Sequence, residues 1–241
     1  MSEIAQNNFE RHLRQNAYPG RGLVIGRAST GDAWWMIYWV MGRSPHSQNR
    51  RLVADGATLR TEPVDPALVA DPSLIIYEAM LERRGVYLVS NGDQTRTVYE
   101  TLQAGGAFDQ ALATREREPD APNYTPRITG MLELSAGAAA LTLNILKANV
   151  VDPAYTDRFT YRPAPPPPGL GVGLTTYVGD GRPLPSFKGD PLLLPCRGSA
   201  QDVLDGYWEA LDANNRVALA VKRIPAGGGA SEILIRNRFS G

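Results

Sequence analysis

Gly22-Leu-Val-Ile-Gly-Arg27 and Trp34-Trp-Met-Ile-Tyr-Trp-Val-Met41 are two almost unbroken apolar runs, separated by Ala-Ser-Thr-Gly-Asp, whose small and turn-forming residues suit a hairpin loop. A strand with one wet face alternates apolar and polar side chains. These two do not alternate, so they read as strands buried on both faces, in a sheet sandwiched between other layers.

The second run empties into Arg43-Ser-Pro-His-Ser-Gln-Asn-Arg50-Arg51. A buried strand that positions three guanidiniums and several small polar donors suits an anion, because arginine forks match phosphate or carboxylate oxygens two at a time. The same run is also compatible with a solvated loop pairing with surface acids. His46 within it reads as a solvent-facing loop residue or as a proton shuttle.

Further along, strands are expected at Arg51 to Asp55, Leu74 to Met80 and Val86 to Ser90, although Tyr77-Glu-Ala-Met-Leu81 is also compatible with a helix. Asn91-Gly92-Asp93 turns into a helix from about Thr95 to Ala113, with Val98, Leu102, Phe108 and Leu112 on its apolar side and a weak point at Gly105-Gly106. A proline-punctuated connection, Glu118 to Arg127, precedes strands at Ile128 to Leu134, Ala138 to Lys147 and Asp157 to Tyr161. Pro163 to Gly169 reads as a stiff loop inside one domain. Ser199 and Asp202 mark the start of a second main helix, and Arg216 to Ile224 and Glu232 to Phe239 close the chain as strands. Ten or so strands and two substantial helices are accounted for by two sheets packed face to face with helices outside.

Residues 3 to 16 place Ile4, Phe9 and Leu13 among charges, as in a short helix that Tyr18-Pro19-Gly20 stops. Residues 1–17 are therefore expected to be an N-terminal extension, and 18–241 one domain. The first residues lack the apolar core of a signal peptide, and no run approaches the roughly 20 apolar residues that span a bilayer, so a cytoplasmic protein is expected.

The 241 residues carry 25 basic and 25 acidic side chains, so no global field draws the chain to nucleic acid or to a membrane surface. Anionic ligands must be held by a local cluster. One cysteine, Cys196, and two histidines leave little material for a metal site, and no metal or cofactor is expected. Ser2 as a terminal nucleophile and Cys196 as a thiolate are both disfavoured: Ser2 begins a polar, mobile-looking extension, and a lone buried cysteine is inert. The Ser90-Asn91-Gly92-Asp93 junction between strand and helix can present backbone N–H groups to a ligand. Asp120 or Glu118, ahead of Tyr124-Thr-Pro-Arg127, can supply a carboxylate base beside a cation.

These segments together resemble the archaeal-type IMP cyclohydrolase family: Tyr18-Pro19-Gly20-Arg21-Gly22 through Gly26-Arg27, Arg43-Ser44 through Asn49-Arg50-Arg51, Tyr77, Ser90-Asn91-Gly92, Asn123-Tyr124-Thr125-Pro126-Arg127-Ile128, and Thr175-Thr176-Tyr177 with Leu184-Pro185-Ser186-Phe187. The similarity covers roughly residues 18 to 240. It implies an α+β fold, a four-layer α-β-β-α sandwich of two packed, mostly antiparallel sheets like that of N-terminal nucleophile hydrolases, used without a terminal nucleophile. It implies closure of a formylated aminoimidazole carboxamide ribonucleotide to inosine monophosphate, a purine ribonucleotide substrate and a homo-oligomer. On this resemblance Arg43, Arg50 and Arg27 serve the phosphate or the developing oxyanion, Asn91, Gly92 and Thr125 anchor the substrate, Tyr77 and Asp120 transfer protons, and Arg127 and Lys188 complete the electropositive lining. An amide hydrolase on the same fold and a non-catalytic purine-nucleotide-binding protein are the alternatives.

Overall fold

The computed structural model describes residues 1–69, 75–135 and 138–239. Strands β1 (Gly22–Arg27) and β2 (Ala33–Met41) form an antiparallel hairpin, with Gly22 opposite Trp39 and Arg27 opposite Trp34. Both are buried along their length apart from half-buried Arg27. Their two faces serve different layers. Trp39 packs toward Tyr207, with ring centroids 6.1 Å apart, while its neighbour Tyr38 points the opposite way, to the Tyr77 hydroxyl 2.7 Å off.

Four more strands extend this sheet, β10 (Leu170–Thr175), β11 (Leu192–Pro195), β12 (Arg216–Pro225) and β13 (Glu232–Asn237), in the order β11-β10-β1-β2-β12-β13. The second sheet contains β3 (Arg51–Asp55), β4 (Thr58–Glu62), β5 (Glu78–Arg83), β6 (Val86–Ser90), β7 (Arg127–Ser135), β8 (Ala138–Ala148) and β9 (Thr156–Tyr161), paired in chain order. Every pairing is antiparallel. The sheets meet face to face, and at Gly130 an added Cβ would stand 3.2 Å from both Ile25 and Leu23. Asn237 ties their edges by accepting from the Leu52 N–H at 2.9 Å and donating to its carbonyl at 3.0 Å.

Helices cover both outer faces. α1 (Ser2–Phe9) runs into a wider turn over Glu10–Arg14 and packs on β11, burying Ala5, Phe9 and Leu13 at helical spacing and leaving Ile4 exposed. α5 (Ala200–Ala210) lies beside it over β12 and β13, started by a reciprocal Ser199–Asp202 cap. On the other side α3 (Gln94–Gln103) and α4 (Phe108–Leu112) enclose a smaller core of Val98, Phe108, Ala111 and Leu112 against Leu88 and Met131. The result is the α-β-β-α sandwich expected, with the helix break at Gly105-Gly106 in place. No helix among the described residues is long and apolar enough to cross a membrane.

Some boundaries differ. The strand expected from Leu74 begins only at Glu78, and Leu74 lies outside the described residues; the segment after Tyr77 is extended rather than helical. Strands β4, β10 and β11 are additional. β10 alternates with glycine, Leu170-Gly-Val-Gly-Leu-Thr175, because side chains do not fit there: a Cβ on Gly173 would come within 2.4 Å of the Leu23 carbonyl oxygen. Such a strand shows little periodicity to read.

Candidate active site

A cavity of about 960 Å³ opens at the end of the sandwich where β1 begins and β2 ends. Gly20 and Arg21 enter it ahead of β1, Met41 ends β2 and Arg43 follows it, and Ser44, Ser47 and Arg50 come from the turn around α2 (Pro45–Gln48). The remaining walls are the 118–125 connection before β7 and the 177–184 loop after β10. The register of β1 on β10, with Gly22 opposite Thr175, brings Arg21 and Tyr177 together although they are far apart in the chain.

Its floor is an ion pair. Arg21 donates from Nη2 to Glu118 Oε2 at 2.9 Å, with Nη1 at 2.9 Å from Oε1, and its Nη1 also reaches the Asn91 carbonyl at 3.3 Å. Burial pushes the Arg21 pKa down, but Glu118 and the Tyr77 and Tyr38 hydroxyls outweigh it and hold the guanidinium well above its ordinary value. The group is permanently cationic.

One wall is aromatic and polar at once. Tyr18 stacks on Tyr177 with centroids 5.9 Å apart, and Arg43 lies over the Tyr18 ring at 4.9 Å while donating to Asp180 and to the Gly181 carbonyl, the latter at 3.1 Å. Thr125 donates its hydroxyl to Asp120, whose other oxygen accepts the Thr125 N–H at 2.6 Å. A hydroxyl has one proton, so Tyr177, 2.6 Å from Thr125 Oγ1, must donate to it. The result is a directed chain from phenol to hydroxyl to carboxylate. Burial raises the pKa of both Tyr18 and Tyr177, against the opposing charge of Arg21, so both phenols keep their protons at neutral pH. Tyr124, beside Thr125, sits at a φ of 45°, a conformation costly for a non-glycine residue. Its N–H bond to the Asp120 carbonyl and the Arg117 guanidinium 4.4 Å from its ring hold it there.

Arg50 completes the lining. Its Nε is buried without a hydrogen bond, and its guanidinium pairs with no carboxylate among the described residues. A cation so placed has unused donors facing the cavity.

The family described as IMP cyclohydrolase-like protein matches residues 18–228, from Tyr18 through every residue of this lining. The chain belongs to that family. A protein named IMP cyclohydrolase from Methanothrix thermoacetophila is 34% identical over 121 residues, which are 48% of this chain and 57% of the relative. The chain thus spans little more than half of that relative's length.

Within this IMP cyclohydrolase-like chain the structure gathers Arg43, Arg50, Asp120 and Thr125 around one cavity and sets the other expected residues elsewhere. Tyr77 lies behind the floor, bonded to Tyr38. Asn91 is fully engaged: its amide donates to the Pro126 carbonyl at 2.8 Å and accepts from the Ile128 N–H at 2.8 Å, clamping the start of β7. Gly92 backs onto Arg127, where a Cβ would stand 2.3 Å from Nη1. Arg127 itself binds Asp93 at 2.8 Å and Gln94 at 2.9 Å. Arg27 stacks on Trp34 at the opposite end of β1, and Lys188 is exposed outside the lining.

The three arginines of the basic turn divide: Arg43 and Arg50 face the cavity, whereas Arg51 pairs with Glu62 across β3 and β4. His46 sits on α2, exposed, with Nδ1 3.3 Å from the Leu68 carbonyl. Ser2 opens α1, receives Arg197 and is not in the lining. Cys196 is fully buried, and burial pushes its thiol up to about 12. Tyr18, Arg21, Tyr177 and Asp180 received no role from sequence, although the first three lie in the motifs that carry the family resemblance.

Proposed function

We propose that this cavity closes 5-formamidoimidazole-4-carboxamide ribonucleotide to inosine monophosphate with loss of water, a step of purine synthesis. Family membership supports the reaction class. The observation that carries the reading is the unpartnered Arg50 on the same cavity as the Tyr177–Thr125–Asp120 chain, since an anion grip and a proton path are the two things the reaction needs.

Arg50 binds the phosphate, and Arg43 leaves Asp180 to meet the formyl oxygen as it gains charge. The carboxamide nitrogen, a poor nucleophile, attacks the formyl carbon because both are held in one orientation. Forming that C–N bond releases one proton from the carboxamide nitrogen; it passes to Tyr177 as Tyr177 passes its own through Thr125 to Asp120. Asp120 returns that proton through Thr125 and Tyr177 to the oxygen, which becomes a hydroxyl. The formamido nitrogen then gives up its proton as the C–O bond breaks, and the oxygen leaves as water with two hydrogens in all. Tyr77 and Tyr38 act through the Arg21 guanidinium, which Asn91 also holds, and Gly92 leaves room for Arg127 at the start of β7.

The test is incubation of the purified protein with the formylated ribonucleotide, followed by absorbance and mass. Inosine monophosphate should accumulate well above the uncatalysed rate. No product from folded protein would overturn the reading, and nucleotide binding without turnover would reassign the cavity to a binding role.

A further inference from the structure

A second cavity, about 650 Å³, opens at the other end of the sandwich. It is framed by Glu82 and the Arg83-Arg84-Gly85 turn joining β5 to β6, by Leu134 and Ser135 at the end of β7, and by Ala226 to Gly229 after β12. β7 runs the distance between the two openings, nine residues at about 3.3 Å each, or about 30 Å.

Three observations concern what this cavity holds. Tyr87 lines it and is 3% exposed as a residue, but its hydroxyl is not among the buried atoms and has no hydrogen-bond partner among the described residues; it lies 3.8 Å from where a Gly228 Cβ would stand. A phenol oxygen that is open to the cavity and bonded to no protein group is free to donate to a ligand. Arg83 and Arg84 are both exposed at the rim and pair with no carboxylate among the described residues. The nearby acid does not cancel them: Glu82 is taken up by the fully buried Lys222, 2.6 Å away, and by the Ser231 hydroxyl at 2.7 Å.

The loop adds an approach for oxygen atoms. Gly228 and Gly229 have φ of 77° and 116°, backbone that side chains rarely adopt, and no Cβ screens the chain there. The amides of Gly227 and Gly229 make no backbone hydrogen bond among the described residues. Two guanidiniums, a phenol and free amides are all donors, and together they match an ion with several acceptor oxygens.

We infer that this cavity is a second anion site, distinct from the one proposed for the reaction, and that it takes a phosphate group, either free or as the monoester of a small metabolite. The volume leaves room for an organic body beyond the phosphate.

Calorimetric titration with inorganic phosphate tests this without any assay of turnover, so it stands apart from the cyclohydrolase reading. The Arg43→Ala/Arg50→Ala protein should retain one site, with a dissociation constant on the order of 1 mM. Adding Arg83→Ala/Arg84→Ala should weaken that site by about tenfold or more, as expected on losing charge-assisted bonds. Tyr87→Phe, which keeps the ring, should weaken it severalfold, with the thermal melts of the Arg83/Arg84 and Tyr87 variants superimposable on that of their Arg43→Ala/Arg50→Ala parent. Disappearance of phosphate binding in Arg43→Ala/Arg50→Ala would overturn the proposal, as would binding unchanged by both the Arg83/Arg84 and Tyr87 substitutions. Tighter binding of glycerol 3-phosphate than of inorganic phosphate assigns the site to a monoester; equal binding assigns it to the free ion.

Discussion

Arg21 and Glu118 face each other fork to fork, both nitrogen–oxygen distances 2.9 Å, with side chains 10% and 6% exposed. Such a pair is costly to leave half-made, because either charge alone would be stranded away from water. Glu118→Ala should therefore destabilise the protein by about 3–5 kcal/mol in urea denaturation. The double variant Arg21→Met/Glu118→Leu should regain most of that stability and still turn over no substrate. Recovery of turnover in the double variant would mean that the pair serves the fold alone.

Among the described residues the Arg43 guanidinium hydrogen-bonds only to Asp180 and Gly181 and lies over the Tyr18 ring, and it is partly solvated. Arg43→Ala should lower kcat/KM by about 100-fold or more. Its melting temperature should shift by only a few degrees, since exposed pairs contribute about 0–1 kcal/mol.

Asp180 occupies the guanidinium that the substrate is proposed to recruit. Asp180→Asn should lower KM by removing that competition. A raised KM would show instead that Asp180 aims Arg43.

The Tyr177–Thr125–Asp120 chain needs a hydroxyl in its middle. Thr125→Val should reduce kcat by about 10²-fold or more while KM changes little, and Thr125→Ser should restore it. Equal loss in both variants would point to packing rather than proton transfer.

Stability should fall at alkaline pH. Cys196 has its pKa raised by burial from the ordinary 9.0 to about 12, and burial also raises Tyr177 and Tyr207 above 10.0. In each case the unfolded chain loses its proton first. The stability these groups contribute is thus fully present below about pH 9 and is lost as pH rises toward the folded values, with a slope of about 1.4 kcal/mol per pH unit per group. Denaturant midpoints across pH 8 to 11, together with a Cys196 thiol unreactive to alkylation until unfolding, would bear this out.

The two-faced burial of β1 and β2 was legible because nothing polar interrupts either run, and the structure gives each face its own layer through Trp39 and Tyr38. The Ser199 cap was legible because its two residues lie three positions apart in the chain, the local spacing of a capping box. The floor and aromatic wall of the site were not. Arg21, Glu118 and Tyr177 become neighbours only through the pairing of β1 with β10 and the loop ahead of β7, and no local pattern encodes that pairing. The basic turn was legible as a cluster of arginines but not in its division, because Glu62, which removes Arg51, lies on a strand with an unremarkable polar sequence.

The order of the six-stranded sheet bears on how the chain reaches this state. Its central hairpin, β1 and β2, is flanked by β10 and β12, so residues 42–169 must be made before the first flank exists. Until then the most apolar hairpin of the molecule has both edges bare, and α1 waits for β11, to which Asn8 bonds at the Leu193 carbonyl. Such non-local closure is slow and exposes sticky edges on the way. During synthesis, sequestration of residues 22–41 by a chaperone would govern yield more than the stability of the finished sandwich.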